Sequence, residues 1–203
     1  MLRRTLLAAA ALAPLAAPAR AADPDAVAPI QALNTALLNA MRAGKSQSFP
    51  ARFATLAPVV ERAFDIPATL QSAVGPRWSS IPAPQQAQLL DVFRKFTVAR
   101  YVDNFDEFNG EKLEVLGDSR NVGADQVVAT RIVPSNGEPV RIDYVMRRGA
   151  NGWRAVDVLL NASISQVAVQ RSDFRALINS GDASALIQNL QRKVAELSGG
   201  TMS

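Results

Sequence analysis

The sharpest pattern in the chain is the alternation of apolar and polar residues that begins at Val140. Val140, Ile142, Tyr144 and Met146 alternate with Arg141, Asp143 and Arg147, the period of two expected of a strand with one buried face. Gly149-Ala150-Asn151-Gly152 tolerates positive φ, so the chain can reverse there. Residues 153–160 return as a second strand with Val156, Val158 and Leu160 on its more apolar side. Residues 113–116 and 127–133 read as two earlier strands, four in series. After the last strand the period changes. Ser163 with Gln166 three residues on has the form of a capping box, and Ile164, Val167, Ala168, Phe174, Leu177 and Ile178 recur at helical spacing until Gly181.

The half of the chain before the strands reads as helix. Asp23-Pro24 fits an N-cap and first helical position, and Val27, Ile30, Leu33, Leu37, Leu38 and Met41 form a stripe that stops at Gly44. Ser48 opens a second segment with Phe53 and Leu56. Pro58 lacks a backbone N–H, which predicts a break or kink before Val59, Val60 and Phe64. Asp65 caps a short helix that closes at Gly75-Pro76. Pro84 starts the longest helix, running to about Phe108, with Leu89, Phe93, Phe96, Tyr101, Phe105 and Phe108 on one broad side. Five of the twelve aromatic residues fall in this one segment. A last helix starts near Asp182 and turns Leu186, Ile187, Leu190, Val194 and Leu197 inward.

These elements predict an α+β domain: a four-stranded curved antiparallel sheet with helices packed on one face. Such a sheet can hold an apolar cavity between its layers. The candidate lining residues are Phe93, Phe96 and Tyr101 from the helix, and Ile132, Ile142, Tyr144, Met146, Val156, Val158 and Leu160 from the strands. A one-residue error in strand parity would exchange Val158 and Leu160 for Leu159.

The N-terminus changes the charge picture. Arg3-Arg4, an Ala-rich apolar run from Thr5 to Ala17 and Ala19-Arg20-Ala21 match a cleavable signal peptide over residues 1–21. The run is too short to span a bilayer, which takes roughly 20 apolar residues. Arg3-Arg4 before Leu6-Leu7 is a partial twin-arginine feature, but the fuller pattern is missing and general secretion is the expected route. The expected location is a bacterial periplasm. Residues 22–197 then form one domain and residues 198–203 a flexible tail. The full chain has 22 basic and 18 acidic side chains; losing Arg3, Arg4 and Arg20 leaves 19 against 18, a net charge of +1. A near-neutral balance without a basic patch argues against nucleic acid as a partner.

Candidate chemistry is sparse. The chain has no histidine and no cysteine, so Ser-His-Asp and Cys-His nucleophilic sites, imidazole or thiolate zinc sites, disulfides and a lipid-anchor cysteine are all excluded. Gly117-Asp118-Ser119-Arg120-Asn121-Val122-Gly123 lacks the lysine and the strand-to-helix context of a phosphate loop. Asp103, Asp106, Glu107 and Glu111 read as solvated groups. Asp157 reads as the partner of an arginine such as Arg141 or Arg154, and Arg131 and Arg141 as paired charges on the outer sheet face. No catalytic residue, metal or cofactor is expected, and the chain is not expected to be an enzyme.

Several motifs in fixed order carry a resemblance. Tyr144-x-x-Arg147-x-x-x-x-Gly152-Trp153-x-x-x-Asp157-Val158 is followed by Ser163-Ile164-Ser165 and Arg171-Ser172-x-Phe174. Earlier come Phe64-Asp65, Gly75-Pro76-Arg77-Trp78 and Pro84-Gln85-Gln86 leading to Phe93. Together they resemble the MlaC-type periplasmic phospholipid-shuttle family, the toluene-tolerance proteins that serve an ABC transporter, over about residues 25–193. Pro139-Val140-Arg141-Ile142-Asp143-Tyr144 and the segment 164–174 look most like the branch associated with hopanoid biosynthesis (HpnM-like). The resemblance implies a monomeric lipid carrier for a phospholipid or hopanoid-related lipid. Its implied partners are an outer-membrane lipoprotein complex and an inner-membrane ABC transporter complex. A non-catalytic envelope adaptor with a filled core, or a small-molecule-binding domain on a similar fold, are the other readings the residues allow.

Overall fold

The computed structural model describes residues 23–179 and 181–202; the expected signal peptide lies outside them. Four helices come first. Asp23 caps α1 (Pro24–Ala43) by accepting from the Asp25 N–H at 3.0 Å. Helix α2 (Phe49–Ala63) is capped by Ser48, and α3 (Ile66–Val74) by Asp65, which accepts from the Ala68 N–H at 3.0 Å. Helix α4 spans Ala83–Asn104.

Two helical expectations are corrected. Pro58 does not break α2, which runs through it. A proline leaves the carbonyl four residues earlier without its donor, and here both Pro58 and Ala54 are exposed, so water can take that place. Helix α4 ends at Asn104, short of the expected Phe108. Phe105 forms its C-cap, and Phe108 emerges at the surface, where the Arg42 guanidinium lies 5.1 Å from its ring centroid.

The sheet has six strands rather than four: β1 (Lys112–Val115), β2 (Arg120–Val122), β3 (Asp125–Val133), β4 (Val140–Gly149), β5 (Gly152–Leu160) and β6 (Ile164–Ser165), with every pairing between them antiparallel. The difference has two local sources. Strands β1 and β2 lie along the same edge of β3, one on residues 130–133 and the other on 125–127, so the expected first strand is continued past residues 116–119 by a second short piece. At the other edge Ile164 and Ser165 pair with Leu160 and Leu159 before the next helix begins. Ser163 therefore sits in a turn. The cap of α5 (Gln166–Arg175) passes to Ser165, which accepts from the Ala168 N–H at 3.0 Å.

Register assigns the two faces. Val128 and Thr130 of β3 lie opposite Tyr144 and Ile142 of β4, which lie opposite Val158 and Leu160 of β5. This face meets α1, α2, α3 and α5. The opposite face carries an ion-pair ladder: Glu114–Arg131 at 2.8 Å, Asp118–Arg141 at 2.8 Å, Asp143 with both Arg120 (3.1 Å) and Arg141 (2.9 Å), and Asp125–Arg147 at 2.6 Å. A β-bulge interrupts β4–β5, where Val145 faces Asp157 but Met146 faces Ala155, leaving Val156 as the extra residue.

The last helix, α6 (Ser184–Leu197), packs on α4. Residues 198–202 continue in hydrogen-bonded turns, and Ser198 is buried. The core is one cluster joining Ile30, Leu33, Leu56, Leu70, Phe93, Met146 and Leu186. Among the described residues no helix is long and apolar enough to cross a membrane.

Candidate functional site

Helix α4 packs chiefly on α2, α3 and α6, and between it and the sheet a cavity of about 220 Å³ remains. Phe93, Phe96, Thr97, Arg100, Tyr101 and Asn104 wall it from α4, one face of the helix read at intervals of three and four. Ile142, Tyr144, Val158 and Leu160 form its floor on β4 and β5. Phe64 and Thr69 close one side, and Gln166, Val167 and Gln170 of α5 another.

Seven of the ten candidate residues thus meet around one cavity: Phe93, Phe96, Tyr101, Ile142, Tyr144, Val158 and Leu160. Leu159 does not line it, so the parity is that of Val158 and Leu160. The other three lie elsewhere, each for a local reason. Ile132 faces a narrow cleft with Asn34, Leu37 and Phe105. Met146 is fully buried in the packed core beyond the cavity floor. Val156 is the bulged residue, which breaks the alternation that grouped it with Val158.

The bulge also brings in residues that periodicity did not select. Asp65 donates its N–H to the Ala155 carbonyl at 2.9 Å, and Phe64 pairs with Ala155 as an isolated parallel bridge. That places the Phe64 ring 5.6 Å from Tyr101 and 6.1 Å from Tyr144. Phe64 directly precedes the N-cap Asp65, and Thr69 at the fourth helical position donates its hydroxyl to the Asp65 carbonyl at 2.9 Å. Phe105, on the aromatic stripe but outside the candidate set, stacks 5.9 Å from Tyr101.

Asp157 does not pair with an arginine. Its carboxylate accepts from the Ser165 hydroxyl at 2.5 Å and from the N–H groups of Val158 (2.7 Å) and Val167 (3.0 Å). It thereby fixes the first turn of α5 against β5, where a negative charge suits the helix N-terminus.

The wall is mostly apolar, with a few polar groups. The hydroxyls of Tyr101 and Tyr144 share a hydrogen bond. Burial pushes the Tyr144 phenol up to about 12, against a small opposing effect of that hydrogen bond. Burial and then the neighbouring Tyr144 hold Tyr101 well above the ordinary phenol value. Both rings are neutral at any physiological pH. Arg100, the one cation on the wall, lies 5.7 Å from the Phe96 ring centroid. The Gln170 Oε1 is buried without a hydrogen-bond partner.

No nucleophile with an adjacent base lines this space, and the single carboxylate on the wall is engaged in holding α5. No metal-binding cluster of carboxylates occurs among the described residues. The arrangement suits binding of an apolar group.

A family model described as "MlaC protein" matches residues 31–192. The chain belongs to the MlaC family. The matched span takes in the whole sheet, α2 to α5 and every residue of the cavity wall. This MlaC fold is similar to that of the phospholipid-binding protein from Ralstonia solanacearum, solved in complex with a phospholipid. The TM-score is 0.73 and the identity 23%, over 86% of this chain and 99% of that one. At that identity the likeness is one of fold. No curated protein sequence matches the chain.

Proposed function

We propose that this MlaC-family protein is a periplasmic carrier that takes a phospholipid, or a related lipid, by its acyl chains in the cavity between α4 and the sheet. The observation that carries the reading is the composition of that wall: aromatic and aliphatic side chains from α4, β4 and β5 converge on it, with one cation and no catalytic constellation. The Ralstonia protein of the same fold, named for phospholipid binding and solved with a phospholipid, supports it.

The energetics suit a carrier. Each methylene withdrawn from water contributes about 0.8 kcal/mol, so two acyl chains supply a large driving force without specific polar contacts. The head group can remain in solvent, and Arg100 on the wall offers a positive charge to its phosphate. At about 220 Å³ the cavity is smaller than the roughly 300–1,000 Å³ of ordinary ligand pockets. Acyl chains therefore enter by widening the gap between α4 and the sheet. A docking partner that favours the wider state would release the lipid.

On this reading the chain is exported through its N-terminal signal and acts as a monomer, without catalysis. It exchanges lipid between an outer-membrane lipoprotein complex and an inner-membrane ABC transporter complex. Segments 139–144 and 164–174 favour the hopanoid-associated branch, which makes a hopanoid-related lipid the alternative cargo. Arg131 and Arg141 point to no small-molecule site, being ion-paired on the far face of the sheet.

Native mass spectrometry of the protein purified from bacterial envelopes, followed by lipid extraction, tests the proposal. One lipid per chain is expected, and its head group separates phospholipid from hopanoid. Lipid-free protein that also fails to take phospholipid from vesicles would overturn it.

A further inference from the structure

A second concavity lies at the far end of the β4–β5 hairpin, sharing no residue with the apolar cavity. It is a groove of about 500 Å³ between α1, α2 and the hairpin, and Arg62, Arg148 and Arg154 line it. Most arginines of the strands are neutralised by carboxylates, as Arg120, Arg131, Arg141 and Arg147 are. Among the described residues the side chains of Arg62, Arg148 and Arg154 make no ion pair or hydrogen bond. Asp25 also lines the groove and pairs with none of them, which leaves an excess of two positive charges there.

Arg148 and Arg154 stand on opposite faces of the hairpin, and both reach the groove at its end. Register sets Arg154 directly opposite Arg147 and Arg148 directly opposite Trp153. Like charges facing each other across a strand pair are unfavourable, and Asp125 neutralises only Arg147. Arg62 has an ordinary explanation, since it lies in the last turn of α2 where a cation suits the helix dipole. That explanation does not extend to Arg148 and Arg154.

We propose that this groove is a docking site for an acidic segment of a partner protein, which lays carboxylates against Arg62, Arg148 and Arg154. The chemistry favours carboxylates on a chain over a bilayer surface. The site is concave, and the exposed large apolar residues that could enter a membrane (Phe108, Val122, Val140, Ile164 and Val169) all lie outside it. Guanidinium groups drawn from three elements, α2, β4 and β5, suit several carboxylates presented along a chain, each held as a two-point pair. Docking there would leave the mouth of the apolar cavity free. The inference stands apart from the lipid reading, because it uses none of the same residues.

The test uses the secreted full-length protein and a fluorescein-labelled peptide of ten glutamates, followed by fluorescence anisotropy at low and physiological salt. Three proteins are compared: the native chain, an R62Q/R148Q/R154Q variant, and a control R175Q/R192Q/K112Q that loses the same charge elsewhere. Circular dichroism and lipid content confirm that each variant is folded and loaded, and the single R148Q variant serves if the triple one does not fold. Binding weakened about tenfold in the groove variant and unchanged in the control supports the proposal. Equal losses in both variants, or none in either, would overturn it. So would a groove variant that binds the peptide normally but no longer co-sediments with vesicles containing phosphatidylglycerol, since the partner would then be a lipid surface.

Discussion

Tyr101 on α4 and Tyr144 on β4 join the two layers of the cavity through a hydrogen bond between their hydroxyls. Phe64 lies against both rings, so the junction is otherwise dry. A helix held to a sheet by one neutral hydrogen bond and by aromatic packing can separate without breaking an ion pair.

The tyrosine pair predicts how stability responds to alkali. The folded state raises the Tyr144 phenol from 10.0 to about 12 by burial. A group whose folded pKa is raised contributes stability fully below its unfolded value and loses it as the pH climbs to the folded one. Stability is therefore level up to about pH 10 and falls between about 10 and 12, by roughly 3 kcal/mol from Tyr144 alone. Tyr101 adds to the fall in the same direction. Thermal melts from pH 8 to 12 check this: Tyr144→Phe should flatten the decline. A variant as alkali-sensitive as the native chain would disprove the role of the pair.

Carboxylates placed on the cavity floor separate pocket from core. Val158 and Ile142 are half-buried on the wall, whereas Met146 on the same strand face is wholly buried in packed core. A dry charge costs several kcal/mol, but water can reach one on a cavity wall. Val158→Asp and Ile142→Asp should fold and lose co-purifying lipid, while Met146→Asp should not fold. Asparagine at the same positions distinguishes charge from bulk. Well-folded aspartate variants with full lipid loading would refute the pocket assignment.

Those three positions also show how far the sequence could be read. Period-two alternation placed Ile142 and Tyr144 on the same face as Val158 and Leu160, because register in a half-buried hairpin is fixed by which side is apolar. The helical spacing of Phe93, Phe96 and Tyr101, at i, i+3 and i+8, identifies the helix that faces them. Alternation carries no trace of the bulge at Val156, where no glycine marks the extra residue, so Val156 was grouped with Val158. The polar members of the wall, Thr69, Thr97, Gln166 and Gln170, stand on elements whose apolar stripe faces the core. They become neighbours of the cavity only once the helices are packed, and no local pattern selects them. Similarly, two extra strand residues at Ile164 moved the helix cap from Ser163 to Ser165, a choice made by pairing with Leu160 rather than by the capping motif itself.

Asp157 anchors the α5 wall through the Ser165 hydroxyl and the Val167 N–H. Asp157→Ala should cost about 1–2 kcal/mol, the usual value of a lost helix cap. Hydrogen exchange should rise first at the amides of residues 166–168. Asp157→Asn keeps an acceptor and should recover part of both. A loss of stability spread evenly over the protein, without early exchange at α5, would show that Asp157 does something else.

Asp143 tests the division of the sheet into two faces. It is fully buried on the side away from the cavity, between Arg120 at 3.1 Å and Arg141 at 2.9 Å. Both arginines are partly exposed and can be rehydrated when the carboxylate is neutralised. Asp143→Asn should therefore lower stability by about 1–3 kcal/mol in urea, less than breaking a wholly buried pair. Lipid content should stay unchanged, because the neighbouring Ile142 and Tyr144 point to the other side of the pleat. A folded Asp143→Asn variant that has lost its lipid would place the ligand, or its entrance, on the ion-pair face.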